Sequence, residues 1–140
     1  MKSTQTVFRL TLRSTPRSIR RVETFLARIN AGVGLDEIQM HKVMVSLTEA
    51  VNNAIMHGNK ADVEKKVKVQ CEVLPGWLLF VIEDQGRGFK MEHVKNPLKE
   101  ENLMRESGRG IFLMRTLMDK VEFDVTPQGT QVRLWLDTNK

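Results

Sequence analysis

Residues 67–88, VKVQCEVLPGWLLFVIEDQGRG, decide the architecture. Val67, Val69, Cys71 and Val73 alternate with charged or polar residues, the pattern of a half-buried strand. Pro75-Gly76 then turns the chain into the almost wholly apolar run Trp77–Ile82, an inner strand paired with the first as a hairpin. Immediately behind that strand stand a carboxylate and two glycines, Asp84, Gly86 and Gly88. A carboxylate at the mouth of an inner strand accepts a hydrogen bond from an exocyclic amine, and glycines let a ligand approach the backbone closely. A tight Asp-Gly turn of purely structural purpose accounts for the same letters.

Before this hairpin lie two helical patterns. Ile19, Val22, Phe25, Leu26 and Ile29 recur at three- and four-residue spacing after Thr15-Pro16 and run out near Gly32 and Gly34. Met40, Val43, Met44, Leu47, Val51, Ala54 and Ile55 form the stripe of a longer helix from about Asp36, which Gly58 is placed to end. Val7–Leu12 reads as a first strand. After the hairpin, Glu83 to Gly110 is poor in apolar periodicity and reads as a long loop with room for a short helix near Met91. Ile111, Met114, Leu117 and Met118 restore a helix, and Val121–Val125, Pro127-Gln128-Gly129 and Val132–Leu136 close the chain as a hairpin. The order β-α-α-β-β-loop-α-β-β predicts a two-layer α/β sandwich, with a mixed, mainly antiparallel sheet and helices on one face. The expected organisation is one domain spanning residues 1–140.

Composition narrows the function classes. No run approaches the about 18 to 20 apolar residues of a membrane helix, and the N-terminus lacks the pattern of a secretory signal, so a cytoplasmic location is expected. Cys71 is the only cysteine, which excludes an internal disulfide and a cysteine-rich metal site. The net charge of +5 is concentrated in Arg9, Arg13, Arg17, Arg20, Arg21 and Arg28. No aromatic residues interleave with these arginines as in a nucleic-acid surface, and direct nucleic-acid binding is not expected. A solvated basic face and a docking surface for an acidic protein both fit.

Two further constellations carry chemistry. Glu49 and Asn53, four apart on the longer helix, project from one face about 200° around from Leu47 and Val51, together with Asn52 and His57. A carboxylate beside an amide oxygen suits Mg²⁺ bound mainly by phosphates and water, with the carboxylate free to act on a nucleophile. Ordinary polar residues facing water fit the spacing too, and His57 is placed to cap the last carbonyls. Ser107, Gly108, Arg109 and Gly110 open the helix of Ile111–Met118, where unpaired N–H groups and the helix dipole form a phosphate seat, with Arg105 adding positive charge. A flexible helix entry has the same composition.

Taken in order, EAVNNAIMHGN (Glu49–Asn59), EDQGRGF (Glu83–Phe89), SGRGIFLM (Ser107–Met114) and Gly129-Thr130 resemble the N, G1, G2 and G3 boxes of the GHKL ATPase superfamily, and within it the anti-sigma factor serine kinases. That resemblance covers nearly the whole chain and implies the GHKL, or Bergerat-type, fold with ATP and Mg²⁺ as cofactors. It implies Asn53 as Mg²⁺ ligand, Glu49 as catalytic carboxylate, and Asp84 as the residue bonding the adenine amine, with Thr130 nearby. Gly86 and Gly88 would form the hinge of a nucleotide lid, and Gly108 and Gly110 its phosphate-contacting end. The implied partners are a sigma factor and a small STAS-type antagonist that is phosphorylated on serine, and homodimerisation is a family expectation. The first ~35 residues read as one strand and one helix, so neither a dimerisation helix carrying a phosphoacceptor histidine before the ATP motifs nor a second domain after them is expected. Against the kinase stand two alternatives, a non-catalytic ATP-dependent switch module and the catalytic half of a split histidine kinase.

Overall fold

The computed structural model describes residues 6–86 and 109–139. Strand β1 (Thr6–Arg13) leads through a 3-10 turn (Pro16–Ile19) into α1 (Arg20–Val33), followed by α2 (Glu37–Asn53) and a π turn (Ala54–Gly58). Strands β2 (Lys66–Leu74) and β3 (Trp77–Glu83) form the first hairpin. Helix α3 (Arg109–Leu117) precedes the second hairpin, β4 (Lys120–Thr126) and β5 (Gly129–Asp137).

The five strands are ordered β1-β2-β3-β5-β4, and every neighbouring pair is antiparallel. The sheet is therefore not mixed. The crossover from β3 through α3 to β4 does run between parallel strands, but β5 inserts between them and bonds to both. The inner place of β5 shows in its burial. Val132, Leu134 and Leu136 are buried, whereas Val121, Phe123 and Val125 of β4 are only half-buried.

Register places Leu12, Val67, Val69, Cys71, Leu78, Phe80, Ile82, Val132, Leu134 and Leu136 in one core with the inward stripes of the helices. Val22, Phe25, Leu26 and Ile29 come from α1, Val43, Leu47, Ala50 and Val51 from α2, and Ile111 and Met114 from α3. Each fully buried side chain of this size contributes about 1.5–3 kcal/mol. Burial pushes the Cys71 thiol up to about 12, so it is an inert core residue. Among the described residues no helix is long and apolar enough to cross a membrane.

Local chemistry sets the helix boundaries. Asp36 and Gln39 form a reciprocal capping box at the start of α2, with Gln39 N–H donating to Asp36 Oδ1 at 2.7 Å and Asp36 N–H to Gln39 Oε1 at 3.1 Å. α1 ends on Gly34 at φ 72°, whose N–H donates to Asn30 O at 2.9 Å. Gly32, by contrast, lies within α1 with open space around its Cα. Gly32→Ala should therefore stabilise the fold by about 0.5–1 kcal/mol and Gly34→Ala destabilise it by about 1 kcal/mol, opposite shifts that urea unfolding resolves. The six early arginines are all exposed. Two of them tie α1 to β1: Arg21 Nη1 donates to Thr11 O at 3.1 Å, and the Arg28 guanidinium lies 5.8 Å from the centre of the Phe8 ring.

Candidate nucleotide site

β3 ends on Glu83, held by Gln131 Nε2 donating to its Oε2 at 2.7 Å, so this residue belongs to the strand and not to the loop. Asp84 follows at the strand mouth. Its N–H donates to Thr130 O at 3.0 Å, and its Oδ1 accepts from Thr130 N–H at 3.0 Å and from Gly86 N–H at 3.1 Å. Both donors fix the carboxyl rotation and leave Oδ2 unclaimed by any described group. Three glycines crowd the residue. A Cβ on Gly58 would overlap Oδ2, one on Gly129 would overlap the Asp84 carbonyl oxygen, and one on Gly86 would overlap the carbonyl oxygen of Gly58. Only glycine permits this approach of helix end, strand end and hairpin turn. Thr130, at the start of β5, is thereby bonded to Asp84 through both its N–H and its carbonyl oxygen.

Burial is the largest influence on Asp84 and pushes its carboxyl above the ordinary carboxylate range. The Thr130 and Gly86 N–H groups and the charge of Lys65 act in the other direction. The group is thus a partly desolvated acceptor with one oxygen held and one available.

The second cluster sits further back on α2. A Cβ on Gly110 would lie 2.7 Å from Glu49 Oε2 and 3.5 Å from Asn53 Nδ2, so both side chains face the first turn of α3. The four-residue spacing did put them on one face, and that face meets a helix N-terminus. From Glu49 to Gly58 the helix rises about 13 Å. The last turns of α2 therefore carry the polar pair and the π turn that follows closes against Asp84, an arrangement suited to a ligand with phosphates beside the first and a base beside the second.

Sequence reasoning missed three members of the site region. α2 does not end as an α-helix at Gly58 but passes at Ala54 into a π turn, in which Asn59 N–H donates to Ala54 O at 2.8 Å. Asn59, Ser14 and Gln85 then form a polar knot beneath the Asp84 turn. His57 is exposed and makes no capping bond among the described residues. Gly88, Arg105, Ser107 and Gly108, with the short helix expected near Met91, lie outside the described residues, as does the side chain of Arg109.

The family described as histidine kinase-like ATPase domain matches residues 12–136. The chain belongs to that family. Over 130 residues this histidine kinase-like ATPase is 34% identical to a Staphylococcus epidermidis protein named serine-protein kinase RsbW, covering 86% of this chain and 80% of that protein. It is 35% identical over 118 residues to the anti-sigma F factor of Bacillus subtilis, covering 81% and 77%. These relatives place it in the anti-sigma factor serine kinase branch. A crystal structure of the RsbU and RsbW domains of a Mycobacterium tuberculosis protein superposes with a TM-score of 0.69 at 21% identity, over 94% of this chain and 32% of that one. The histidine kinase domain of a blue-light activated kinase from Erythrobacter litoralis gives 0.53 at 16% identity, over 86% and 61%. At these identities the two structures bear on the fold, which they share. Membership of the family implies ATP as the nucleotide.

Proposed function

We propose that this histidine kinase-like ATPase is a cytoplasmic, single-domain protein serine kinase that phosphorylates a STAS-type antagonist and binds a sigma factor. The relatives named serine-protein kinase and anti-sigma F factor support the partner classes. The observation that carries the nucleotide reading is Asp84, whose Oδ1 is held by Thr130 and Gly86 and whose Oδ2 is left to accept from the adenine amine. Gly110 at the start of α3, with Gly108, Ser107, Arg105 and Arg109 before it, supplies N–H groups and positive charge for the phosphates. Gly86 and Gly88 flank the start of the segment that joins these ends.

Among the described residues no cluster of three His, Cys, Asp or Glu side chains is arranged to hold a metal alone. A donor set of one carboxamide fits Mg²⁺, which keeps water and phosphate ligands, and Asn53 beside the α3 N-terminus is the residue that would hold it. When bound, the ion supplies charge neutralisation on the phosphates. Glu49, one helical turn from Asn53, accepts the proton of the partner serine hydroxyl. The nucleophile comes from the partner.

The decisive test is incubation with γ-labelled ATP, Mg²⁺ and a STAS-type antagonist. Stoichiometric label on one antagonist serine is the expected result. Nucleotide-dependent complexes without label would make the protein a sequestering module, and acid-labile phosphohistidine would make it the catalytic half of a split histidine kinase.

Asp84 also sets a pH dependence. The ionised carboxylate is the acceptor, and burial raises the free protein's Asp84 above the ordinary aspartate value of about 3.9. As pH falls toward that raised value the carboxyl protonates, and the base-dependent part of the affinity is lost at a pH where an ordinary aspartate is still ionised. The ratio of ADP to inosine diphosphate affinity, in which phosphate protonation cancels, should therefore decline on acidification above pH 4, and calorimetry across pH measures it.

A further inference from the structure

Beneath the Asp84 turn lies a side chain that no part of the nucleotide reading uses. Asn59 is 1% exposed. Its Oδ1 accepts from Gln85 N–H at 2.7 Å, and its Nδ2 donates to Ser14 Oγ at 2.8 Å and to Lys66 O at 3.0 Å. Ser14 Oγ spends its own proton on Lys65 O at 2.6 Å, so it can only accept from Asn59, and a backbone carbonyl can only accept. The carboxamide therefore has one permitted orientation, with its oxygen on Gln85. Gln85 Oε1 in turn accepts from Lys66 N–H at 2.7 Å. Through one buried amide the end of β1, the start of β2 and the Asp84–Gly86 turn are tied to the end of α2.

The backbone is shaped to deliver this side chain. The π turn inserts a residue before Asn59, and the two residues after it, Lys60 and Ala61, adopt left-handed conformations at φ 52° and 57° although neither is glycine. Asp62 N–H returns to Asn59 O at 3.0 Å and Ala61 N–H to Ile55 O at 2.7 Å. Conformations of this kind persist where the surroundings over-determine them, and they cluster at functional sites.

We infer that Asn59 is the positioning residue that sets the selectivity of the site for a 6-aminopurine. The inference rests on the reading of Asp84 as the acceptor of the adenine amine. Gln85 N–H belongs to the peptide that leaves Asp84. Holding it fixes that peptide plane, the Gly86 N–H that follows, and with them the direction of Oδ2. Glu49 and Asn53, which face Gly110, precede the π turn on α2 and take no part in the Asn59 bonds. Loss of Asn59 thus loosens base reading and leaves phosphate binding in place. A residue that served stability alone would weaken every nucleotide equally.

The test compares binding of ADP and inosine diphosphate, in the presence of Mg²⁺, to the full chain and to Asn59→Ala. Inosine diphosphate keeps the ribose and phosphates but presents an oxygen where adenine has its amine. The parent is expected to bind ADP at least tenfold more tightly than inosine diphosphate, and the variant to lose at least tenfold of that preference through weaker ADP binding alone. Equal loss for both nucleotides, or an unchanged ratio, overturns the inference. If the parent itself shows no preference, the Asp84 reading fails, and the inference that depends on it fails with it. Ser14→Ala removes one of the two acceptors that orient the amide while leaving Asn59 in place. It should lower the ratio about threefold, and a folded Ser14→Ala protein with the parent ratio would overturn the inference even where Asn59→Ala does not fold.

Discussion

Asp84→Asn should weaken ATP binding about 30-fold or more while the protein stays folded. In the parent, Oδ1 accepts from two backbone donors, Thr130 N–H and Gly86 N–H, and Oδ2, beside Gly58, accepts from no described group and is the oxygen proposed for the adenine amine. An asparagine has one acceptor to serve both directions. If its oxygen stays on the two N–H groups, the amide nitrogen points a donor at the adenine amine; if it flips, the nitrogen confronts Thr130 and Gly86. Either way a charge-assisted hydrogen bond becomes an unsatisfied pair, which costs about 2 kcal/mol, or about 30-fold in affinity. Stability should hold, because burial penalises the ionised carboxyl at this position and the neutral amide is free of that penalty. Calorimetry with ATP and GTP, beside a melting curve, provides the check. GTP binding should be weak in the parent and should not fall in the variant, whose amide donor can face the guanine carbonyl oxygen. ATP affinity within threefold of the parent would remove Asp84 from base recognition.

The same residues show what a linear sequence discloses. The alternation of Val67, Val69, Cys71 and Val73 placed each of them on the core side because strand geometry is a two-residue repeat, and burial confirms all but Val73 as fully enclosed. Glu49 and Asn53 were legible as a pair because a helix repeats every 3.6 residues. What the pair faces was not, since Gly110 is brought there by packing of α3 on α2. Strand order was hidden as well. A closing hairpin can join a sheet by either strand, and Val121, Phe123 and Val125 are as apolar as Val132, Leu134 and Leu136, so the pattern does not choose between them. The Asn59 knot had no local signature at all: its partners Ser14 and Gln85 are 45 and 26 residues away. Nor does AIMHG announce a π turn, because hydrophobic spacing over one turn fits α and π geometry alike. Local rules thus recovered the elements and the individual functional groups. The contacts that orient those groups come from tertiary packing.

The position of Glu49 leads to the other large expectation, a separation of chemistry from binding along α2. Glu49→Ala should reduce phosphotransfer to the partner serine by about 100-fold or more, with ATP affinity near that of the parent. Its Oε2 faces the first turn of α3, and among the described residues no ion pair engages it. Base recognition at Asp84 is about 13 Å along the helix and keeps all its donors. A group that accepts the hydroxyl proton acts only when the second substrate is present and only in the transition state, which is why its loss appears in the rate and not in the nucleotide affinity. Asn53→Ala, one turn on, should behave differently. It removes the proposed Mg²⁺ contact and should weaken the Mg²⁺-dependent part of ATP binding together with transfer. Single-turnover transfer from labelled ATP to the antagonist, measured beside ATP affinity with and without Mg²⁺ for parent and both variants, distinguishes the two roles. Transfer by Glu49→Ala at the parent rate would exclude the carboxylate as proton acceptor. An equal fall in affinity and rate would assign Glu49 to nucleotide binding, alongside Asn53.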